Sequence, residues 1–157
     1  MKEYKRYETI KEYIYNQFSK INYEPLRTAA FTHTNSVDTC ITLLAISRDI
    51  PIESAKIAAL YHDYAQYTQN CPHADHARLS SIMAANYLKS TQLFTQAQID
   101  EISHAIAHHS EKDKYHSPLC EALKDADVLA RFLENPTIEP QGIKKQRLLD
   151  ACADLAR

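Results

Sequence analysis

Apolar residues recur along this chain at three- and four-residue spacing, the period of helices that bury one face. Tyr7, Ile10, Ile14 and Phe18 form the first such row. They predict an amphipathic helix that ends near the polar turn at Asn22–Pro25 and packs as a lid. A second helix is expected over about residues 27–48. A third starts at Pro51, whose missing N–H costs nothing in a first turn, and runs through Ile52, Ala55, Ala58 and Ala59 to His62-Asp63. Residues 64–72 read as loop, and 75–89 as a fourth helix. Thr95, with Gln98 three residues on, is an N-cap for a fifth helix reaching His109. The polar stretch 110–118 reads as loop, 119–133 as a sixth helix that stops before Pro136, and a last helix follows from near Pro140. No repeat or low-complexity linker interrupts the series. The expected fold is all-α, a compact bundle of about six to seven helices.

Composition narrows this picture. At 157 residues with 45% hydrophobic and 24% charged, the chain suits one domain over residues 1–157. A domain of this size buries roughly 68–70% of its unfolded surface, so a metal is not needed merely to fold it. Gly142 is the only glycine, which excludes the glycine-rich phosphate loops and disfavours hairpin-rich all-β folds. A formal charge of −2 gives no reason to expect a nucleic acid polymer or an anionic membrane as partner, and no stretch approaches the ~20 apolar residues of a membrane span. Lys144, Lys145 and Arg147 read as a solvated helix face. Cys40, Cys71, Cys120 and Cys152 make no CxxC pair, which fits reduced thiols in the cytoplasm.

The chemistry is carried by the histidines, and their helical position discriminates among them. His33 continues into Val37, Cys40 and Leu44; His76 into Leu79, Met83 and Tyr87; His109 closes the row Ile99, Ile102, Ile106. Asp127 belongs to the row Cys120, Leu123, Ala130, and His62, with Asp63 beside it, ends the alanine row of the third helix. Six polar groups on five helices therefore face a core. A buried carboxylate without a partner costs several kcal/mol, and a buried imidazole needs hydrogen bonds or a metal. Convergence on one or two cations explains all six together; several independent His–Asp hydrogen bonds would explain them separately. A one-position error on the helix would exchange His108 for His109. His104 and His108, an HxxxH pair with Glu101 on the more polar face, read as solvated residues able to hold a metal, and His73 and His116 as exposed loop residues.

In this order the residues resemble the HD-domain metal-dependent phosphohydrolases, whose pattern is H…HD…D with two further histidines in dinuclear members. The pattern appears as His33, then Ala-Ala-Leu-Tyr-His62-Asp63-Tyr-Ala, then His76 followed by Ser80-Ser81, then Ala-Ile-Ala-His108-His109-Ser, then Lys124-Asp125-Ala126-Asp127. The resemblance spans about residues 27–134 and implies a compact helical bundle. It implies that His33, His62, Asp63 and Asp127 hold one metal and His76 and His109 a second, with Asp63 bridging. Many relatives carry a lysine three residues after the pair, as HDxxK; here Gln66 stands in its place.

Hydrolysis of a phosphate ester or anhydride follows from the resemblance, with Asp63 as the catalytic residue. One or two divalent ions (Fe, Mn, Co, Ni or Zn) are the expected cofactors, since mixed N and O donors suit all of these. The expected substrate is a small phosphorylated molecule, a nucleotide or dinucleoside polyphosphate. A di-iron oxygenase on the same ligands and a non-catalytic nucleotide-binding HD module are the alternatives. Lys112, in the loop after His109, and Arg78 are the expected phosphate contacts, with Arg131 behind them. Tyr61, Tyr64 and Tyr67 stand around the pair as packing residues or as a surface for a base or sugar.

Overall fold

The computed structural model describes residues 2–157, with side chains from Lys5 onward. The described residues are helical throughout, with no strand: α1 (Lys2–Phe18), α2 (Glu24–Ser47), α3 (Ile52–Tyr61), α4 (Tyr64–Thr68), a single 3-10 turn (His73–Asp75), α5 (His76–Thr91), α6 (Gln96–His108), α7 (Pro118–Glu134) and α8 (Gly142–Leu155). Seven of these helices have ten residues or more. None among the described residues is long and apolar enough to cross a membrane.

The most extensive packing joins α2 to α7 and α5 to α6, with α3 reaching α1, α2, α6 and α7. Helix α7 runs through the middle: every residue from Leu119 to Ala130 is buried, charged ones included. Helix α1 is not a lid. Tyr7, Ile10, Ile14 and Phe18 are each at most 3% exposed and belong to the common core. Side chains of this size contribute about 1.5–3 kcal/mol apiece when buried, which makes α1 a fixed wall over α3 and α4.

Local chemistry accounts for the element boundaries. The Thr95 cap forms with its reciprocal Gln98 contact, a complete capping box. Helix α2 starts at Glu24, within the expected turn and three residues before the expected start at 27, because Pro25 falls in the first turn, where no intrahelical donor is required. Pro118 likewise opens α7, with the Ser117 hydroxyl accepting from the Cys120 N–H. The stretch expected to be loop after the His-Asp pair instead makes the five-residue α4. Tyr64 and Tyr67 there pack on Phe18, ring centroids 6.1 and 5.7 Å away, so burial stabilises a helix too short to persist alone. The buried stripe of α5 is His76, Ala77, Ser80, Ala84 and Leu88, one position round from the expected Leu79, Met83 and Tyr87.

Candidate metal centre

Helix α3 ends at Tyr61, and His62 and Asp63 form the two-residue break before α4. Both are almost fully buried, at 0% and 2% exposed. The break places successive side chains in the interior, where a continuous helix would turn one of them away. Ser80 of α5 fixes it from the far side by accepting the Ala65 N–H at 2.9 Å. Around it stand His33 from the middle of α2, His76 at the start of α5, His109 at the end of α6 and Asp127 from α7, all buried.

Asp63 lies between two pairs of imidazoles. Its Oδ2 is 3.3 Å from Nε2 of His62 and 3.7 Å from Nε2 of His33. Its Oδ1 is 3.1 Å from Nε2 of His76 and 3.3 Å from Nε2 of His109. Asp127 Oδ1 adds a second carboxylate 3.1 Å from His33 Nε2. All six residues singled out in the sequence therefore meet, and the inward histidine at the end of α6 is His109. His108 points to the outer side and pairs with Glu111.

The other nitrogen of each ring is already committed. Nδ1–H of His62 donates to the Ala59 carbonyl at 2.7 Å, that of His109 to Ile106 at 2.7 Å, and that of His76 to His73. His33 Nδ1 donates to Glu134 Oε1 at 2.8 Å. Carbonyls and carboxylates only accept, so Nδ1 carries a proton in each ring, and each ring in its neutral form presents the Nε2 lone pair inward. Yet His33 and His62 bring these nitrogens within 3.2 Å of each other, and His76 and His109 within 3.3 Å. Two lone pairs at that distance need a proton or a cation between them. This donor set, neutral imidazoles with carboxylates on a shared centre, fits divalent transition metals.

The charges tell the same story. Burial works against ionised Asp63, but the His62 charge and hydrogen bonds from His109, His62 and His76 hold its carboxyl well below the usual range. Burial disfavours a proton on His62 and His76, and Asp63 outweighs it at both, so their pKa values are raised. At His109 burial prevails and the value is lowered. Protons on imidazole thus compensate the buried carboxylate where a cation would otherwise do so.

The HD-domain family model matches residues 30–131, which takes in all six of these residues. The chain belongs to the HD-domain family. Among solved structures it is similar to one described as a predicted HD superfamily hydrolase from an uncultured Thermotogales bacterium. The TM-score is 0.64 and the identity 22%, over 92% of this chain and 86% of that one. At that identity the likeness speaks for the fold. No curated protein matches the chain.

Around the HD residues, the cations differ from those expected. Lys112 lines the groove beside Asp127 but is already paired: it is 8% exposed, and its Nζ donates to Asp127 Oδ2 and to the His109 carbonyl, both at 2.8 Å. Its charge, after the opposing effect of burial, is the main reason that Asp127 stays well below the usual carboxylate range. Arg78 extends into solvent from α5, 64% exposed, and pairs with Asp75 at 3.6 Å. The guanidinium that reaches the HD cluster is Arg131, with Nη2 3.2 Å from Asp63 Oδ2 and Nε 3.4 Å from Asp127 Oδ1. Glu134 was missed from sequence, although Asp127, Arg131 and Glu134 fall at the i, i+4, i+7 spacing of one helix face. Gln66, at the lysine position of HDxxK, meets His73 Nδ1 at 3.3 Å. Tyr61, Tyr64 and Tyr67 are buried and serve as packing. Arg147, expected on a solvated face, is a clamp: it bonds the Lys112 carbonyl, Asp125 and Glu121 at 2.7–2.8 Å and so fastens α8 to α7 and to the loop after α6.

Proposed function

We propose that this HD domain hydrolyses a phosphate ester or anhydride bond in a small phosphorylated substrate, of the nucleotide or dinucleoside polyphosphate class. His33, His62, Asp63 and Asp127 would hold one divalent ion, and His76 and His109, with Asp63 between, a second. The observation that carries this reading is the pair of opposed Nε2 contacts, 3.2 and 3.3 Å, on either side of one buried carboxylate. Divalent cations at such a centre supply a water of lowered pKa and an electrophilic hold on a phosphoryl oxygen.

The chain's own residues divide the remaining work. Asp63 offers one oxygen to each histidine pair and so sets the spacing of the two halves. Glu134 fixes the His33 ring, and Lys112 fixes Asp127, leaving its Oδ1 turned toward the centre. Arg131 is the half-exposed charge: its side chain is 54% exposed, and it would turn from the two aspartates to a substrate phosphate once their charge is met by metal. Asp127 and Arg131 also line a groove of about 580 Å³ that runs toward α8, with Val128, Phe132 and Ile138 as apolar walls and Lys144 among its lining residues. Its size suits a mononucleotide-sized group, with the phosphate at the Asp127 end.

The test is phosphate release from nucleoside mono-, di- and triphosphates and dinucleoside polyphosphates, after loading with Mn, Fe, Co, Ni or Zn in turn, beside Asp63→Asn. Release that disappears in the variant is the expected result. Metal-loaded protein that releases phosphate from none of them sinks the proposal, and oxygen consumption with an organic substrate would replace it with the oxygenase reading.

A further inference from the structure

A second group of histidines gathers on the outer side of α6, away from the HD cluster. The helical repeat sets His104 and His108 on one face four residues apart, and the loop after α6 brings His116 back against them. The ring centroids are 4.6 Å apart for His104 and His108, 4.5 Å for His108 and His116, and 5.7 Å for His104 and His116. Glu111 stands among them, its Oε2 3.1 Å from both His108 Nδ1 and His116 Nε2. One donor atom from each of His108, Glu111 and His116 lies within 4.8 Å of the other two.

One exposed imidazole, His104, and two half-buried ones, His108 and His116, gain little by stacking on one another alone. A shared carboxylate oxygen between two ring nitrogens gives them a common focus. Metal–ligand distances of about 2.0–2.2 Å at a tetrahedral ion place neighbouring donor atoms roughly 3.3–3.6 Å apart. The two 3.1 Å contacts to Glu111 are already close to that edge length. We propose that His108, Glu111 and His116, with His104 as a fourth ligand, form a second metal site, separate from the HD cluster. Imidazole donors with one carboxylate select a borderline divalent ion, Zn²⁺, Co²⁺, Ni²⁺ or Cu²⁺, over Mg²⁺ or Ca²⁺.

Lys124 limits its strength. The buried Nζ donates to His116 Nδ1 at 2.7 Å as well as to the Lys114 carbonyl and Glu121 Oε1. A cation on His116 Nε2 leaves the ring proton on Nδ1, so the ring must slide off Lys124, whose ammonium keeps its two oxygen acceptors. That cost makes the site weaker than the buried HD set. Its occupancy ties the end of α6 to the loop carrying Lys112, and through Lys112 to Asp127.

The experiment loads the full chain with Zn²⁺ or Co²⁺, removes free metal, and counts ions per chain in wild type, His108→Ala/His116→Ala and Asp63→Asn. Co²⁺ visible absorption reports coordination at the same time. The double variant is expected to hold about one ion fewer than wild type, and Asp63→Asn to keep that ion. Equal ion counts in wild type and the double variant overturn the proposal. Glu111→Gln preserves side-chain shape and is expected to weaken Co²⁺ binding at this site by about tenfold or more; unchanged affinity would count equally against it. Should the HD cluster itself bind nothing, wild type would hold one ion and the double variant none, so this inference stands or falls apart from the hydrolase reading.

Discussion

Lys112 and Asp127 form a buried ion pair, Nζ to Oδ2 at 2.8 Å, on the side of Asp127 turned away from His33. A lysine that sequence alone offers to a phosphate is spent on holding a carboxylate of the HD cluster. The pair lets Asp127 remain ionised in the core before any metal arrives. Lys112→Met should therefore destabilise the metal-free protein by about 3–5 kcal/mol, the usual cost of orphaning a buried charge. Added Zn²⁺ or Mn²⁺ should recover much of that loss. A denaturant melt unchanged by the substitution would show that the pair carries no such burden.

Arg131 makes the opposite prediction. Its guanidinium sits on Asp63 and Asp127 yet is half exposed, and under the proposed hydrolase reading a charge in that position would meet the substrate phosphate. Arg131→Ala should raise KM for a phosphorylated substrate by about tenfold while leaving metal content at the wild-type level. Loss of bound metal in the variant would instead make Arg131 a structural prop of the cluster.

His76 and His109 share one half of the HD centre, and His33, His62 and Asp127 the other. His76→Ala should lower the metal content by about one ion per chain, keeping the ion held by the four residues of the first half. Elemental analysis of chelator-free protein reads this directly. Loss of all metal would mean that the halves bind cooperatively as one unit.

The acid side of the stability curve should depend on Glu121. Burial pushes its carboxyl up, but Lys124, Arg147 and the His116 N–H together hold it below its ordinary value of 4.5. A carboxylate with a lowered folded pKa stabilises above the unfolded value, and that contribution disappears as pH falls through the folded one. Glu121→Gln should cost about 1–3 kcal/mol at neutral pH, a gap that narrows below about 4.5. Urea melts of both proteins across that range would decide it, and a constant gap would refute the assignment.

Much of the fold was readable from local pattern. The apolar rows of α1, α2, α3 and α6, the Thr95 capping box and Pro51 at the start of α3 each act within a few residues, and each lies where spacing and capping chemistry put it. Helix α4 was not readable, because its five residues are helical only against Phe18, which is distant in sequence. The rotation of the α5 stripe by one position has the same origin: α6 and Ser80's bond to Ala65 decide which face turns inward.

For the site, sequence alone placed His33, His62, Asp63, His76 and Asp127 toward the core, from helical periodicity and the cost of burying polar groups singly, while the choice of His109 over His108 came from the packing of the end of α6. Only the tertiary structure decided what surrounds them. Lys112 paired with Asp127, Arg131 took the position over the two aspartates, Glu134 oriented His33, and Arg147 left the solvent to clamp α8. The reason is one of range. A helix face is set by residues three and four apart, whereas the partner of a long charged side chain is whichever opposite charge the packing of distant helices brings within about 3 Å.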